Sequence, residues 1–203
     1  IDSVEPDTPT FVDEVSDPLL RLLFICCDEA LPRESQLVLA LKVLSGFSTP
    51  EIALRLLTTP ANVQKRLGRA REQLAAVVAL DDRGQLDTPP AVTLAGRLDS
   101  VLQTIYLIFT SGHSSIGDES LVRHDLCEEA IRLAQLLVAH PVGNTPASWA
   151  LLALMTLHVA RLSTRVDDRG ALLLLEDQDR GRWDRRLIQV GMTCLARSAQ
   201  GET

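Results

Sequence analysis

The sequence predicts an all-α chain in two parts. A small helix-turn-helix unit comes first. A larger helical unit follows, of α-hairpin, tetratricopeptide-like character with a short extended arm. Three observations lead there. Apolar residues recur at helical spacing along most of the chain. Aromatics make up only 3% of the 203 residues while Leu, Ala and Val are abundant, a balance that suits packed helices better than a sandwich or barrel. Helix-start signals recur at Asp17-Pro18, at Ser48 with Glu51, and at Thr59-Pro60. The expected boundaries are an acidic linker over 1–16, the helix-turn-helix unit over 17–80, a linker over 81–93 and the helical extension over 94–203.

Ile1 to Ser16 is rich in Asp, Glu, Pro and Thr with little to bury, and reads as a solvated arm. Asp17 as N-cap and Pro18 in the first turn then open a helix. Its apolar run Leu19 to Cys27 is almost unbroken, so it should be largely buried. Leu31-Pro32 breaks the chain, and a second helix runs through Leu44 with Leu37, Val38, Leu41 and Leu44 at helical spacing. Gly46 is placed to end it. Ser48 and Glu51 have capping-box spacing before a short helix whose buried side is expected to be Ile52, Ala53, Leu56 and Leu57. Thr58-Thr59-Pro60 turns the chain into a further helix that keeps Val63, Leu67, Ala70 and Leu74 on one stripe.

Asp81 to Thr93 concentrates Asp, Gly and Pro-Pro, the best candidate for a boundary between units. Three strongly apolar helical segments follow, at about Leu94 to Phe109, Ser120 to Ala139 and Pro146 to Leu162. Arg165 to Leu175 differs. There Asp168-Arg169-Gly170 makes a turn flanked by Val166 and a leucine run, as in a short hairpin or extended arm. A final helix runs through Ala199, with Leu187, Ile188, Met192 and Leu195 expected to face inward.

Composition excludes several functions. Cys26, Cys27, Cys127 and Cys194 include no C-x-x-C pair, and His113, His124, His140 and His158 show no ligand spacing, so no metal site is expected. The cysteines read as buried small hydrophobes of a reduced, cytoplasmic chain, and His158 as a core histidine. No ordering of nucleophile, base and acid appears and no glycine-rich phosphate loop, so neither an enzyme nor a cofactor is predicted. Trp149 to Leu162, the most apolar stretch, is shorter than the roughly 20 residues of a membrane span and is interrupted by Thr156 and His158.

Charge then singles out one helix. The chain carries a formal charge of −7, yet Pro60 to Arg71 holds four basic residues and no acidic one. Asn62, Lys65 and Arg69 fall opposite the apolar stripe, with Gln64 and Arg71 flanking. Asn, Gln, Arg and Lys hydrogen-bond base edges, and Lys and Arg neutralise phosphates. A surface helix pair with solvated arginines would show the same composition. What favours a DNA reader is the sequence of cap, turn and cap, with a buried stripe on both helices. Three or four neutralised phosphates give a shallow salt dependence and modest affinity, as suits a module working beside other DNA contacts.

Leu19 to Leu80 resembles region 4 of sigma-70-family RNA polymerase sigma factors of the extracytoplasmic-function (ECF) class. The resemblance rests on Leu31-Pro32 and its apolar helix, on Phe47-Ser48-Thr49-Pro50-Glu51-Ile52-Ala53, and on Val63-Gln64-Lys65-Arg66-Leu67-Gly68-Arg69-Ala70-Arg71. It implies that the second helix reads the upstream (−35) promoter element, with Asn62, Gln64, Lys65 and Arg69 facing bases and Arg66 and Arg71 nearer the DNA backbone. The partners it implies are promoter DNA and core RNA polymerase. The part after Leu94 resembles the helical extension of one subgroup of these factors, best at Leu121 to Leu137 and Leu172 to Arg186. Thr110-Ser111-Gly112-His113 departs from that pattern, standing where an Asn-Glu-Gly-Tyr stretch is expected. No core-binding, promoter-melting second sigma region is present, so the chain resembles a C-terminal portion whose first sixteen residues are the interdomain linker.

Asp177, Gln178, Asp179, Arg180 and Trp183 form the densest polar cluster of the extension. They are read first as an internal network fixing the last helix, and second as a partner site. The expected function is promoter recognition regulated by the extension, through contact with the DNA-binding unit or with polymerase. A two-component-type regulator is the alternative for the first unit. A small-molecule sensor with a pocket of His113, Asp177 and Arg180 is the alternative for the second.

Overall fold

The computed structural model describes residues 15, 17–77, 91–113, 124–165, 167 and 173–201. Eight α-helices organise these residues, with no strand among them. They are α1 (Pro18–Cys26), α2 (Arg33–Leu44), α3 (Thr49–Arg55), α4 (Pro60–Val77), α5 (Ala91–His113), α6 (His124–Ala139), α7 (Pro146–Val159) and α8 (Arg185–Ser198). Most of the expected linkers, 1–16 and 81–93, and the turn Asp168-Arg169-Gly170 lie outside the described residues.

Local signals set the helix starts. Asp17 accepts the N–H groups of Leu19 and Leu20 at 3.0 and 2.9 Å, which satisfies two donors left orphaned at the start of α1. Gly46 follows the last turn of α2 at φ +65°, a left-handed conformation that glycine adopts without steric cost. Helix α5 begins at Ala91, slightly before the expected Leu94, and continues to His113. Thr110 to His113, beyond the expected end at Phe109, is its last turn, where Ser111 Oγ bonds back to Leu107 O at 2.6 Å.

Helices α1 to α4 pack around Phe24, Leu41, Phe47, Ile52 and Val63, while α5 to α8 stack each on the next, with α7–α8 the closest pair. Helix α7 lies between α6 and α8, which explains why it is apolar nearly all round. The two groups of helices share one core. Helix α5 packs on α1 and α2, α6 touches α1, and most of the buried apolar residues form a single cluster from Val15 to Cys194. Each buried Leu, Ile or Phe of α5 contributes about 1.5–3 kcal/mol relative to exposure. Leu94, Val101, Ile105, Ile108 and Phe109 are all buried.

Polar groups complete this seam. Arg97, on α5, pairs with Asp28 after α1 and donates from Nη1 to Phe24 O at 3.1 Å. On α2, Arg33 Nε donates to Gln103 Oε1 at 2.7 Å. Arg132, on α6, reaches the capping carboxylate of Asp17 at 2.7 Å. Val15, expected in a solvated arm, is instead buried, and its carbonyl accepts both Nε and Nη2 of Arg21.

Two expectations about apolar residues are corrected. Leu57 is 94% exposed, because the turn after α3 places it at φ +49° and swings its side chain away from the core. On α8 the face against α7 holds Gly191 and Cys194, with Leu187 and Ile188 half-buried, whereas Met192 and Leu195 are exposed. Gly191 sets that rotation, since a Cβ there would lie 2.7 Å from Leu157 Cγ.

Candidate nucleic-acid interface

The basic helix α4 is held by two caps and one turn. Ser48 N–H donates to Glu51 Oε2 at 2.7 Å, and Glu51 N–H returns to Ser48 Oγ at 3.4 Å, closing a reciprocal capping box at the start of α3. The Arg55 guanidinium lies 4.2 Å over the buried Phe47 ring, and Lys42 Nζ donates to Phe47 O at 3.1 Å, so α3 is tied back to α2. Thr58 N–H donates to Ala53 O at 2.9 Å, closing the turn. Thr59 Oγ1 then accepts Asn62 N–H at 3.2 Å and caps α4 beside Pro60.

On α4, Val63, Leu67 and Ala70 are buried and Leu74 packs against the core. The opposite face is solvent. Asn62, Gln64, Lys65, Arg69 and Arg71 are exposed, and Arg66 is half-buried where that face meets the domain. Asn62, Lys65 and Arg69 follow i, i+3, i+7, a line of about 10 Å along the helix axis. The Asn62 amide is oriented by a 3.4 Å bond from Nδ2 to Thr58 Oγ1. Between Gln64 and Lys65 on the helix circumference lies Gly68, where an added Cβ would meet nothing within 4 Å. This polar ridge, with bare backbone in its middle and the rest of the domain behind it, has the dimensions and donors to enter a DNA major groove.

The second expected cluster divides. Gln178 and Trp183 serve the interior. Gln178 Nε2 donates to Leu173 O at 3.2 Å, and Trp183 Nε1 donates to Thr164 Oγ1 at 3.0 Å. Asp179 accepts Gly181 N–H at 2.9 Å, and Asp184 caps α8 through Leu187 N–H at 3.0 Å. Asp177 and Arg180 are exposed, with the Arg180 guanidinium 5.7 Å from the Trp183 ring. His113 is bonded by Arg165, whereas Asp177 and Arg180 face solvent.

Sequence spacing did not reveal that His113 and His158 meet. Their rings stand edge to face at 5.0 Å beside Phe109, and Arg165 Nη1 donates to His113 O at 3.0 Å. Burial, with Arg165, His158 and Arg161 nearby, lowers the His113 pKa to about 4. His158 is lowered as well, first by burial and then by Arg161 and Arg165. All four cysteines are free and buried, and burial pushes Cys26 and Cys27 up to about 12, which leaves those thiols unreactive at neutral pH. Among the described residues no three His, Cys, Asp or Glu side chains gather to hold a metal, and no helix is long and apolar enough to cross a membrane.

Two family models match the chain. A family described as sigma-70, region 4 matches residues 21–74. One described as a family of unknown function (DUF6596) matches residues 97–199. Over 179 residues the chain is 40% identical to an uncharacterized protein of Rhizobium meliloti (strain 1021), covering 88% of this chain and 41% of that protein. The chain thus spans about two-fifths of that relative's length. No solved structure matches.

Proposed function

We propose, for a chain that belongs to the DUF6596 family and carries a sigma-70 region 4 domain, that it reads the upstream (−35) element of promoters within an RNA polymerase sigma factor of the ECF class, in the cytoplasm. Region 4 is a DNA-binding domain and not a catalytic one, and its partners are promoter DNA and core RNA polymerase. The observation that carries the reading is the exposed line Asn62, Lys65, Arg69 on the back of the buried stripe Val63, Leu67, Ala70, inside the matched region. Asn62, Gln64, Lys65 and Arg69 contact base edges, and Arg66 and Arg71 contact phosphates. With so few cations the salt dependence is shallow, and binding depends on further contacts made through polymerase.

The helical extension regulates this reader from within the same molecule. Support comes from the seam of α5 and α6 on α1 and α2, where Arg97, Gln103 and Arg132 each engage a residue of the first unit. A change in the extension is therefore felt at the base of the helix-turn-helix. The unit boundaries 17–80 and 94–203 are functional rather than structural in this reading, because the two units share a core.

Transcription in vitro with core RNA polymerase and the full-length protein tests the proposal. Arg69→Glu abolishes transcription that depends on the upstream element, while a same-sized charge change on α8, Arg186→Glu, leaves it intact. Undiminished transcription by the Arg69→Glu protein overturns the assignment of α4.

A further inference from the structure

The C-terminal domain holds a cleft that none of the features above uses. It lies between the end of α7, the segment before α8 and the first turn of α8, and is an open-sided cleft of about 330 Å³. That volume falls in the range of small-molecule sites and corresponds to about eleven water-sized groups. Its walls are apolar, formed by Leu157, Leu175, Trp183 and Ile188. Its shape is set in advance. The indole N–H of Trp183 is fixed on Thr164 Oγ1, and Asp184 N–H donates to Ala160 O at 2.8 Å, so the segment carrying Trp183 is tied to the end of α7.

One edge is cationic. Arg161 lines the cleft beside His158, and its Nη2 lies 3.0 Å from His158 Nδ1. No salt bridge from Arg161 to a carboxylate forms among the described residues, and Arg165, close enough to interact with it, carries the same sign. The depressed pKa of His158 keeps that ring neutral, so it accepts from Arg161 and adds no competing charge. A planar guanidinium lining an apolar cleft matches one carboxylate joined to a compact apolar body.

We propose that this cleft binds a small monocarboxylate with an apolar tail or ring of roughly seven to ten carbons, its carboxylate on Arg161 and its tail against Trp183 and Ile188. The binding is a property of the C-terminal domain and stands whether or not α4 reads promoters.

Octanoate is the probe. In a Trp149→Phe protein, Trp183 is the remaining tryptophan and reports occupation of the cleft directly, while calorimetry on the wild-type chain gives the stoichiometry. The expected result is saturable one-to-one binding of octanoate with a change in Trp183 emission. Octan-1-ol should bind at least ten-fold more weakly, and Arg161→Gln should lose at least ten-fold for octanoate but not for octan-1-ol. Leu175→Trp, at a half-exposed position that leaves the core untouched, fills the mouth and displaces octanoate in calorimetry. Absence of saturable binding overturns the proposal. So does equal affinity for octanoate and octan-1-ol, or octanoate binding unchanged in both variants, which would leave the cleft as a seat for an apolar side chain of a protein partner.

Discussion

Replacing Arg97 by Met tests whether the helix-turn-helix unit and the extension are one body. The Arg97 and Asp28 side chains are 7% and 10% exposed, and the guanidinium also satisfies Phe24 O. Met keeps most of the apolar stem and removes the charge. Asp28 is then a buried carboxylate whose Oδ1 accepts only Ala30 N–H, and Phe24 O loses a side-chain donor. Breaking one side of a buried ion pair costs about 3–5 kcal/mol, because the remaining charge stays out of water. For a chain of this size that lowers Tm by roughly 6–20 °C. Adding Asp28→Asn, which keeps an acceptor for Ala30 N–H while removing the orphaned charge, should restore about 1–3 kcal/mol of the loss. Urea unfolding supplies the assay with two probes. Trp149 and Trp183 both report the extension, whereas far-UV circular dichroism reports every helix. Wild-type transitions should coincide, as in one cooperative unit, and Arg97→Met should move both midpoints down. A loss under about 0.5 kcal/mol, the scale of an ordinary surface change, would refute the buried seam. A point substitution suits this question better than deletion of the extension, which would strip the cover from Cys27 and the faces of α1 and α2.

Two further outcomes follow from single sites. Gly68→Ala should raise stability by about 1 kcal/mol, since the helix gains propensity and the new methyl meets open space. The same change should weaken binding of the full-length holoenzyme to promoter DNA, because that methyl stands where backbone would approach the groove. Denaturant midpoints and promoter affinity thus move in opposite directions, and a substitution that leaves affinity unchanged would detach Gly68 from the interface. The His113 pKa of about 4 lies below its ordinary value of 6.5. Between those values the unfolded chain binds more protons, so stability is full above pH 6.5 and falls as the pH drops toward 4. The loss is about 2 kcal/mol after allowance for solvent screening near the helix end. His113→Gln should flatten most of that slope in urea titrations across the window, leaving the smaller share of His158. An unchanged slope would remove His113 as its source.

Legibility in the sequence followed the range of the forces. The caps at Asp17, Ser48 and Thr59 act within three residues, and the stripe Val63, Leu67, Ala70 within a few turns, so both were readable. The exposed face of α4 was readable for the same reason. Leu57 was misplaced because helical periodicity was carried one residue into a turn whose φ is positive. On α8, periodicity left a wide apolar face, and the choice of Gly191 and Cys194 over Met192 and Leu195 depends on how closely α7 approaches. Arg97 and Asp28 are 69 residues apart, and His113 and His158 are 45 apart, so no spacing could announce either contact. One signal was available. A lone arginine within the apolar stretch that begins at Leu94 needs a buried partner, and Asp28 closes the apolar run that starts at Leu19. The cleft around Trp183 is assembled from two stretches of chain, 157–161 and 175–188, and existed nowhere in the linear pattern.

In the proposed function α4 is the helix that touches promoter DNA. Photocrosslinking from single positions in the full-length protein, bound to core RNA polymerase on its promoter, measures this directly. A photoreactive residue in place of Lys65 or Arg69 should crosslink to the upstream element, and one in place of Arg186 on α8 should not. Crosslinks from Arg186 alone, in a complex that still transcribes, would contradict the account.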